Sequence, residues 1–166
     1  LNLSTAVTTL AGTDTSFGDI YTGITTDGTN LYVADYSNNL IRQIVIDNGT
    51  VTTLAGSGTA SSVDDTGISA SLKKPIGITT DGTNLYVADY SNNRIRQVVI
   101  DNGTVTTIAG SGSSGSADST TGTSVSFNNP MGITTDGTNL YVADHGNHLI
   151  RQIVISTKVV TTIVGT

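Results

Sequence analysis

The sequence predicts an all-β protein made of stacked, four-stranded antiparallel units, and three observations carry that prediction. One stretch is written three times: Gly23-Ile24-Thr25-Thr26-Asp27-Gly28-Thr29-Asn30-Leu31-Tyr32-Val33-Ala34-Asp35 returns from Gly77 to Asp89 and from Gly132 to Asp144. The interval is 54 residues from Gly23 to Gly77 and 55 from Gly77 to Gly132, a period that marks stacked supersecondary units. The apolar residues fall in short β-branched and aromatic clusters, Leu-Tyr-Val-Ala and Ile-Val-Ile, set between Asp-Gly and Asn-Gly turn signals. No window holds a helical period beyond a single turn around Ile68 to Leu72.

Taken in order, Ala6 to Gly12 matches the end of a unit whose beginning is absent, as comparison with Val51 to Gly56 and Val105 to Gly110 shows. It is read as an orphan strand, residues 1–12, and the chain as a fragment or a processed piece. Thr13 to Thr22 is a polar connection, shorter than its later counterparts. Gly23 to Asp27 is a first short strand, stopped by Asp27-Gly28, where glycine takes a positive φ without Cβ strain. Leu31 to Asp35 is a second strand, Tyr36 to Asn39 a polar turn, and Ile41 to Ile46 a third strand. Asp47-Asn48-Gly49-Thr50 reads as a type I′ hairpin into the fourth strand, Val51 to Ala55. The units occupy residues 13–56, 57–110 and 111–166. Ser57 to Lys74 and Ser111 to Asn129 are Gly/Ser-rich connections carrying Asp64, Asp65 and Asp118, and Pro75 and Pro130 follow them.

Composition narrows the function classes. The formal net charge is -6, with only seven basic residues, which disfavours phosphate backbones and anionic lipid surfaces, so neither a nucleic-acid partner nor membrane insertion is expected. The absence of cysteine removes thiolate chemistry and leaves the redox compartment open. No window approaches the roughly 20 apolar residues of a membrane span.

The runs Pro-(Ile/Met)-Gly-Ile-Thr-Thr-Asp, Leu-Tyr-Val-Ala-Asp and Asn-x-x-Ile-Arg resemble the NHL repeat, whose signature the third copy spells as Asn147-His148-Leu149. The resemblance implies a β-propeller, in which each unit is a radial blade around a central channel. The long Ser/Gly/Asp-rich connections look like those of repeat arrays in large bacterial secreted or surface proteins, a resemblance that implies an extracellular or cell-surface location. Near-identical copies also fit a recent blade amplification, natural or designed. Three blades are fewer than the four or so that known propellers need for closure. Two chains related by a twofold axis would close a six-bladed ring, or further blades of a longer parent would supply the rest. Thirteen strands are one more than three blades use, so the orphan strand would compete with Val159 to Gly165 at the seam of such a ring.

In a propeller the turns between second and third strands share one face with the blade connections. The candidate ligand-binding residues on that face are Asp35, Tyr36 and Asn38, then Asp89, Tyr90 and Asn92, then Asp144, His145, Asn147 and His148. The alternative for the Asp and Asn residues is structural, with their side chains satisfying backbone donors of the turn. His145 and His148 form a His-x-x-His pair, but a catalytic zinc generally takes three protein ligands and the chain has no third His and no Cys, so no metal or other cofactor is expected. Asp64, Asp65 and Asp118 match no complete calcium loop and read as solvated acidic residues. Arg42, Arg96 and Arg151 recur beside Asp35, Asp89 and Asp144, a placement suited to bidentate pairs that tie the blades. The leading functional expectation is a non-catalytic module presenting this face to a protein or glycan. The runner-up resembles the propeller lyases and lactonases, with a metal in the central channel.

Overall fold

The computed structural model describes residues 9–11, 17–19 and 23–165. Among these are twelve strands in three antiparallel sheets. The first blade holds β1 (Ile24–Thr26), β2 (Asn30–Asp35), β3 (Leu40–Val45) and β4 (Val51–Ala55). The second holds β5 (Pro75–Thr80), β6 (Asn84–Asp89), β7 (Arg94–Val99) and β8 (Val105–Ala109). The third holds β9 (Pro130–Thr135), β10 (Asn139–Asp144), β11 (Leu149–Val154) and β12 (Val160–Val164). Each sheet is a simple meander in chain order, as short strands joined by tight turns require. Of the expected orphan strand only Thr9, Leu10 and Ala11 are described, outside any named strand; the rest of it lies outside the described residues.

The turn between first and second strands explains the recurring Thr-Asp-Gly-Thr-Asn. Asp27 Oδ1 accepts the backbone N–H groups of Thr29 and Asn30 at 2.8 and 2.7 Å, and its Oδ2 accepts the Tyr32 hydroxyl at 2.7 Å. Asp81 and Asp136 repeat the arrangement. Partial burial alone would raise the Asp27 carboxyl, but these donors outweigh it and hold the pKa at about 2; burial and the same hydrogen bond push Tyr32 up to about 12.

The hairpin between third and fourth strands departs from the type I′ expectation. Type I′ needs positive φ at both central residues, and here Gly49 (φ 69°) has it while Asn48 does not. The loop closes instead by a wider turn, with the Gly49 N–H donating to the Val45 carbonyl at 2.8 Å. In the third blade Lys158 fills the glycine's place at φ 63°.

Alternation along the strands gives each blade two apolar faces, and neighbouring blades seal one against the other. Tyr32, Ala34, Ile41 and Ala55 of the first blade share a buried cluster with Leu85, Val87 and Val98 of the second. Tyr86, Ala88, Ile95 and Ala109 of the second meet Leu140, Val142 and Ile153 of the third. Leu72 closes the first cluster and Phe127 the second, each from a connection. A fully buried Leu or Ile contributes about 1.5–3 kcal/mol, so these seams dominate the stability of the stack. The innermost strands stand side by side, and closely: a Cβ on Gly23 would lie 1.9 Å from the Ile76 carbonyl oxygen, and one on Gly77 would lie 2.1 Å from that of Met131.

Candidate binding face

Each second strand ends on an aspartate that fixes the following turn. Asp35, Asp89 and Asp144 are fully buried. Asp89 accepts the Lys73 N–H at 2.8 Å on Oδ1, and Asn92 Nδ2 and Arg96 Nη1, both at 2.8 Å, on Oδ2. Asp144 does the same with the Asn128 N–H, Asn147 and Arg151, and Asp35 with the Gly18 N–H, Asn38 and Arg42. The placement of these three carboxylates on a ligand-facing surface is therefore corrected. They are enclosed, and chain donors occupy them, but the backbone donor at each comes from the preceding connection rather than from the turn, and the other donors are Asn and Arg side chains. Burial pushes the Asp89 carboxyl up, against the donors that favour its charged form.

The arginine fork is shared between two carboxylates rather than laid on one. Arg96 Nη1 bonds Asp89 while its Nη2 bonds Asp64 at 2.5 Å; Arg151 likewise spans Asp144 and Asp118, the latter at 2.7 Å. Nε of both arginines is buried without a partner, the cost of splitting the fork. Asp64 and Asp118 are thus not merely solvated loop acids. Asp64 also accepts the N–H and hydroxyl of Thr107 on β8, and Asp118 those of Thr162 on β12. Burial opposes ionisation at both, but the threonine donors and the arginine hold each carboxyl below its ordinary value. Arg42 instead reaches Thr53 directly, at 2.7 Å.

Two further positions escaped the sequence reading. Asn39 and Asn93 stand in the left-handed region, φ 58° and 53°, where asparagine is better tolerated than most residues. Asn39 donates to the Gly58 carbonyl and accepts the Lys74 N–H; Asn93 pairs in the same way with Gly112 and Asn129. They fasten each turn to the connection leaving its blade. Their signal was the recurrence of the second Asn in Ser-Asn-Asn, which a turn composition alone also explains.

The remaining predicted residues do share the loop face. Asn92 and Asn147 bridge their aspartates to the connection carbonyls of Ser61 and Gly115, at 2.7 and 2.6 Å. Tyr36 and Tyr90 are half-buried, with Lys74 Nζ 5.5 Å from the Tyr36 ring centre. His145 and His148 are exposed, and His148 takes the left-handed place of Asn39 and Asn93. Between the connections lies a polar cleft of about 380 Å³, lined by Ser62, Asp64, Arg94, Thr107 and Ser111. Arg94, which stands where the other blades have Leu40 and Leu149, reaches the Ser62 hydroxyl and the Ser111 carbonyl there. The axial cleft between the innermost strands is apolar, lined by Ile24, Ile78 and Ile133 with Gly23, Gly77 and Gly132. Among the described residues, no group of three or more His, Cys, Asp or Glu is placed to hold a metal ion, and no helix is long and apolar enough to cross a membrane.

No protein-family model matches the chain. It is 36% identical over 142 residues to NHL repeat-containing protein 2 of Homo sapiens and 35% identical to that of Bos taurus; each match covers 79% of this chain. The chain spans 20% of the length of these relatives. Among solved structures it resembles a Bacteroides thetaiotaomicron protein of unknown function, with a TM-score of 0.65 at 26% identity, covering 74% of this chain and 32% of that one. An auxiliary nutrient binding protein of the same organism gives a TM-score of 0.67 at 22% identity, covering 84% and 36%. Virginiamycin B lyase of Staphylococcus aureus gives 0.54 at 18%, covering 85% and 40%, a likeness of fold alone.

Proposed function

From the premise that this chain belongs to the NHL-repeat proteins and that its three sheets are propeller blades, we propose that it is a non-catalytic binding module, displayed outside the cell or on its surface, whose loop face takes a protein or glycan partner. A second copy of the chain completes the scaffold as a ring. One observation carries the reading. Two positions at which the blades differ, Tyr36/Tyr90/His145 in the turn and Leu40/Arg94/Leu149 at the start of the third strand, flank a turn that a buried carboxylate ties, through Asn38, Asn92 or Asn147, to the blade connection, so variable side chains stand on a rigid frame. Rigid display keeps the ordering cost of binding low. The polar cleft beside Arg94 offers a guanidinium, a carboxylate and hydroxyls, the groups that hydrogen-bond sugar hydroxyls.

The likeness of fold to a nutrient-binding protein supports this reading, but the lyase likeness adds no site. A channel metal would need His or carboxylate groups from several blades at the axis, where this chain places isoleucine and glycine. The test is a binding screen of the intact chain against immobilised glycans and surface proteins, followed by Tyr36→Ala, Tyr90→Ala and Arg94→Ala. Loss of roughly tenfold or more in affinity with one of them, the fold unchanged, supports the reading. A ligand bound equally well by all three variants, or turnover of a lactone or lyase substrate, overturns it.

A further inference from the structure

The two ends of the arc carry the two halves of a junction that the chain builds twice within itself. On the third blade Tyr141, Ala143 and Ile150 repeat the trio Tyr32, Ala34, Ile41 and the trio Tyr86, Ala88, Ile95. Inside the stack Ile41 and Ile95 are 0% exposed, whereas Ile150 is 36% exposed and Val164, beside it at the end of β12, 62%. On the first blade Leu31, Val33 and Ile44 stand where Leu85, Val87 and Val98 receive such a trio, and here they line an open apolar cleft of about 490 Å³.

Two details show that the cleft is shaped for a blade. A Cβ on Gly49 would lie 2.2 Å from the Leu10 carbonyl oxygen, as one on Gly103 would lie 2.4 Å from that of Leu54. Residues 9–11 thus stand against the first blade as β4 stands against the second, and the inner strands of a preceding blade are what the cleft lacks. Gly132 is the complementary detail. Gly23 and Gly77 are forced to be glycine by the neighbouring blade, yet a Cβ on Gly132 would meet only Ala143 Cβ, at 3.6 Å. Its side-chain space is empty in one chain and matches the place that a neighbour's carbonyl fills at the other two.

We infer that the third blade of one copy seats on the first blade of a second copy, Tyr141, Ala143 and Ile150 entering the cleft over Leu31, Val33 and Ile44, so that two chains close one ring through two identical seams. This rests on the two-copy ring proposed above and assigns its contacts. The ends also match in hydrogen-bonding groups. Gly18, Lys73 and Asn128 each donate their N–H to the turn aspartate, which sets Asp19 level with Lys74 and Asn129. Lys74 sits against the Tyr36 turn of the preceding blade. At the seam the corresponding pair is Asp19 against the turn of His145 and His148, a carboxylate facing the only two imidazoles of the chain. The seam has room for one outer strand. Ala11 matches Ala55 and Ala109, both 0% exposed, while Val164 is larger, so residues 9–11 of the second copy take that position and the end of β12 yields it.

The experiment is light scattering across a concentration series on the intact chain and on Gly132→Ala and Ile150→Lys, with circular dichroism to check the fold. Both substitutions sit on an open face and leave the blade intact. The expected result is a species of about twice 17.0 kDa for the unaltered chain and a folded monomer for each variant. A dimer that persists in both variants overturns the seam and leaves the ring standing. A monomer at every concentration overturns seam and ring together, and a ladder of growing masses overturns twofold closure. Loop-face binding is scored separately, on whichever species forms.

Discussion

Asp89 and Arg96 are both 0% exposed and form an ion pair at 2.8 Å, so losing the Asp89 charge leaves a buried guanidinium with Asp64, at the rim, as its one remaining carboxylate. Asp89→Asn should cost about 3–5 kcal/mol in urea unfolding, and Asp64→Asn less, because that carboxylate is 46% exposed and water can replace it. The turn pair Asp27–Tyr32 sets two pH limits with opposite signs. Asp27 falls from 3.8 to about 2 on folding, so its contribution is present above the unfolded value and is lost as pH drops from about 3.8 to 2. Tyr32 rises from 10.0 to about 12, so its contribution is present below pH 10 and is lost as pH climbs toward 12. Tyr32→Phe should remove its own share of the alkaline loss in a melt-versus-pH series, the rest staying with Tyr86 and Tyr141, which make the same bond; an unchanged slope would place its origin elsewhere. At this scale the sequence showed which residues recur, but not what they face. Asp35, Asp89 and Asp144 lie in a polar turn and look exposed in one dimension. Their burial follows from a connection folding back over them, and the partners Lys73 and Asn128 are 16 residues distant in the chain.

Strand identity, by contrast, was almost wholly legible, because the repeat supplies three readings of every element and each strand is bounded by Gly, Asn or Asp. The exception is instructive. Asn48-Gly49 carries the dipeptide of a type I′ turn, but the backbone spreads the reversal over more residues and leaves only Gly49 left-handed. The equivalent Lys158 has a Cβ at φ 63°, a region costing a non-glycine residue about 1 kcal/mol. Lys158→Gly should therefore stabilise the third blade by about that amount, read as a raised denaturation midpoint with an unchanged m-value. Asp64 and Asp118 were visible as acids recurring in otherwise unlike connections, yet their task could not be assigned without the outer strand they cap.

For the whole molecule, the radial stacking of blades followed from the repeat and its family, whereas the closeness of the inner strands did not. Gly77→Ala should destabilise the folded chain by several kcal/mol, since its Cβ would lie 2.1 Å from a backbone carbonyl that cannot move alone, while Gly132→Ala should leave thermal unfolding of the single chain unchanged. Equal losses at both sites would mean that the end blade is already covered. The wrapped outer rim has a consequence of another kind. Along β8 the N–H groups of Val105 and Thr107 are taken by the Asp65 carbonyl and the Asp64 carboxylate, and along β12 those of Val160 and Thr162 by Ser119 and Asp118. Val-Thr-Thr-Ile is a segment of high β-propensity and no charge, the composition from which cross-β fibrils nucleate. The connections act as gatekeepers: by occupying those donors they deny a second molecule the template on which fibril growth would begin.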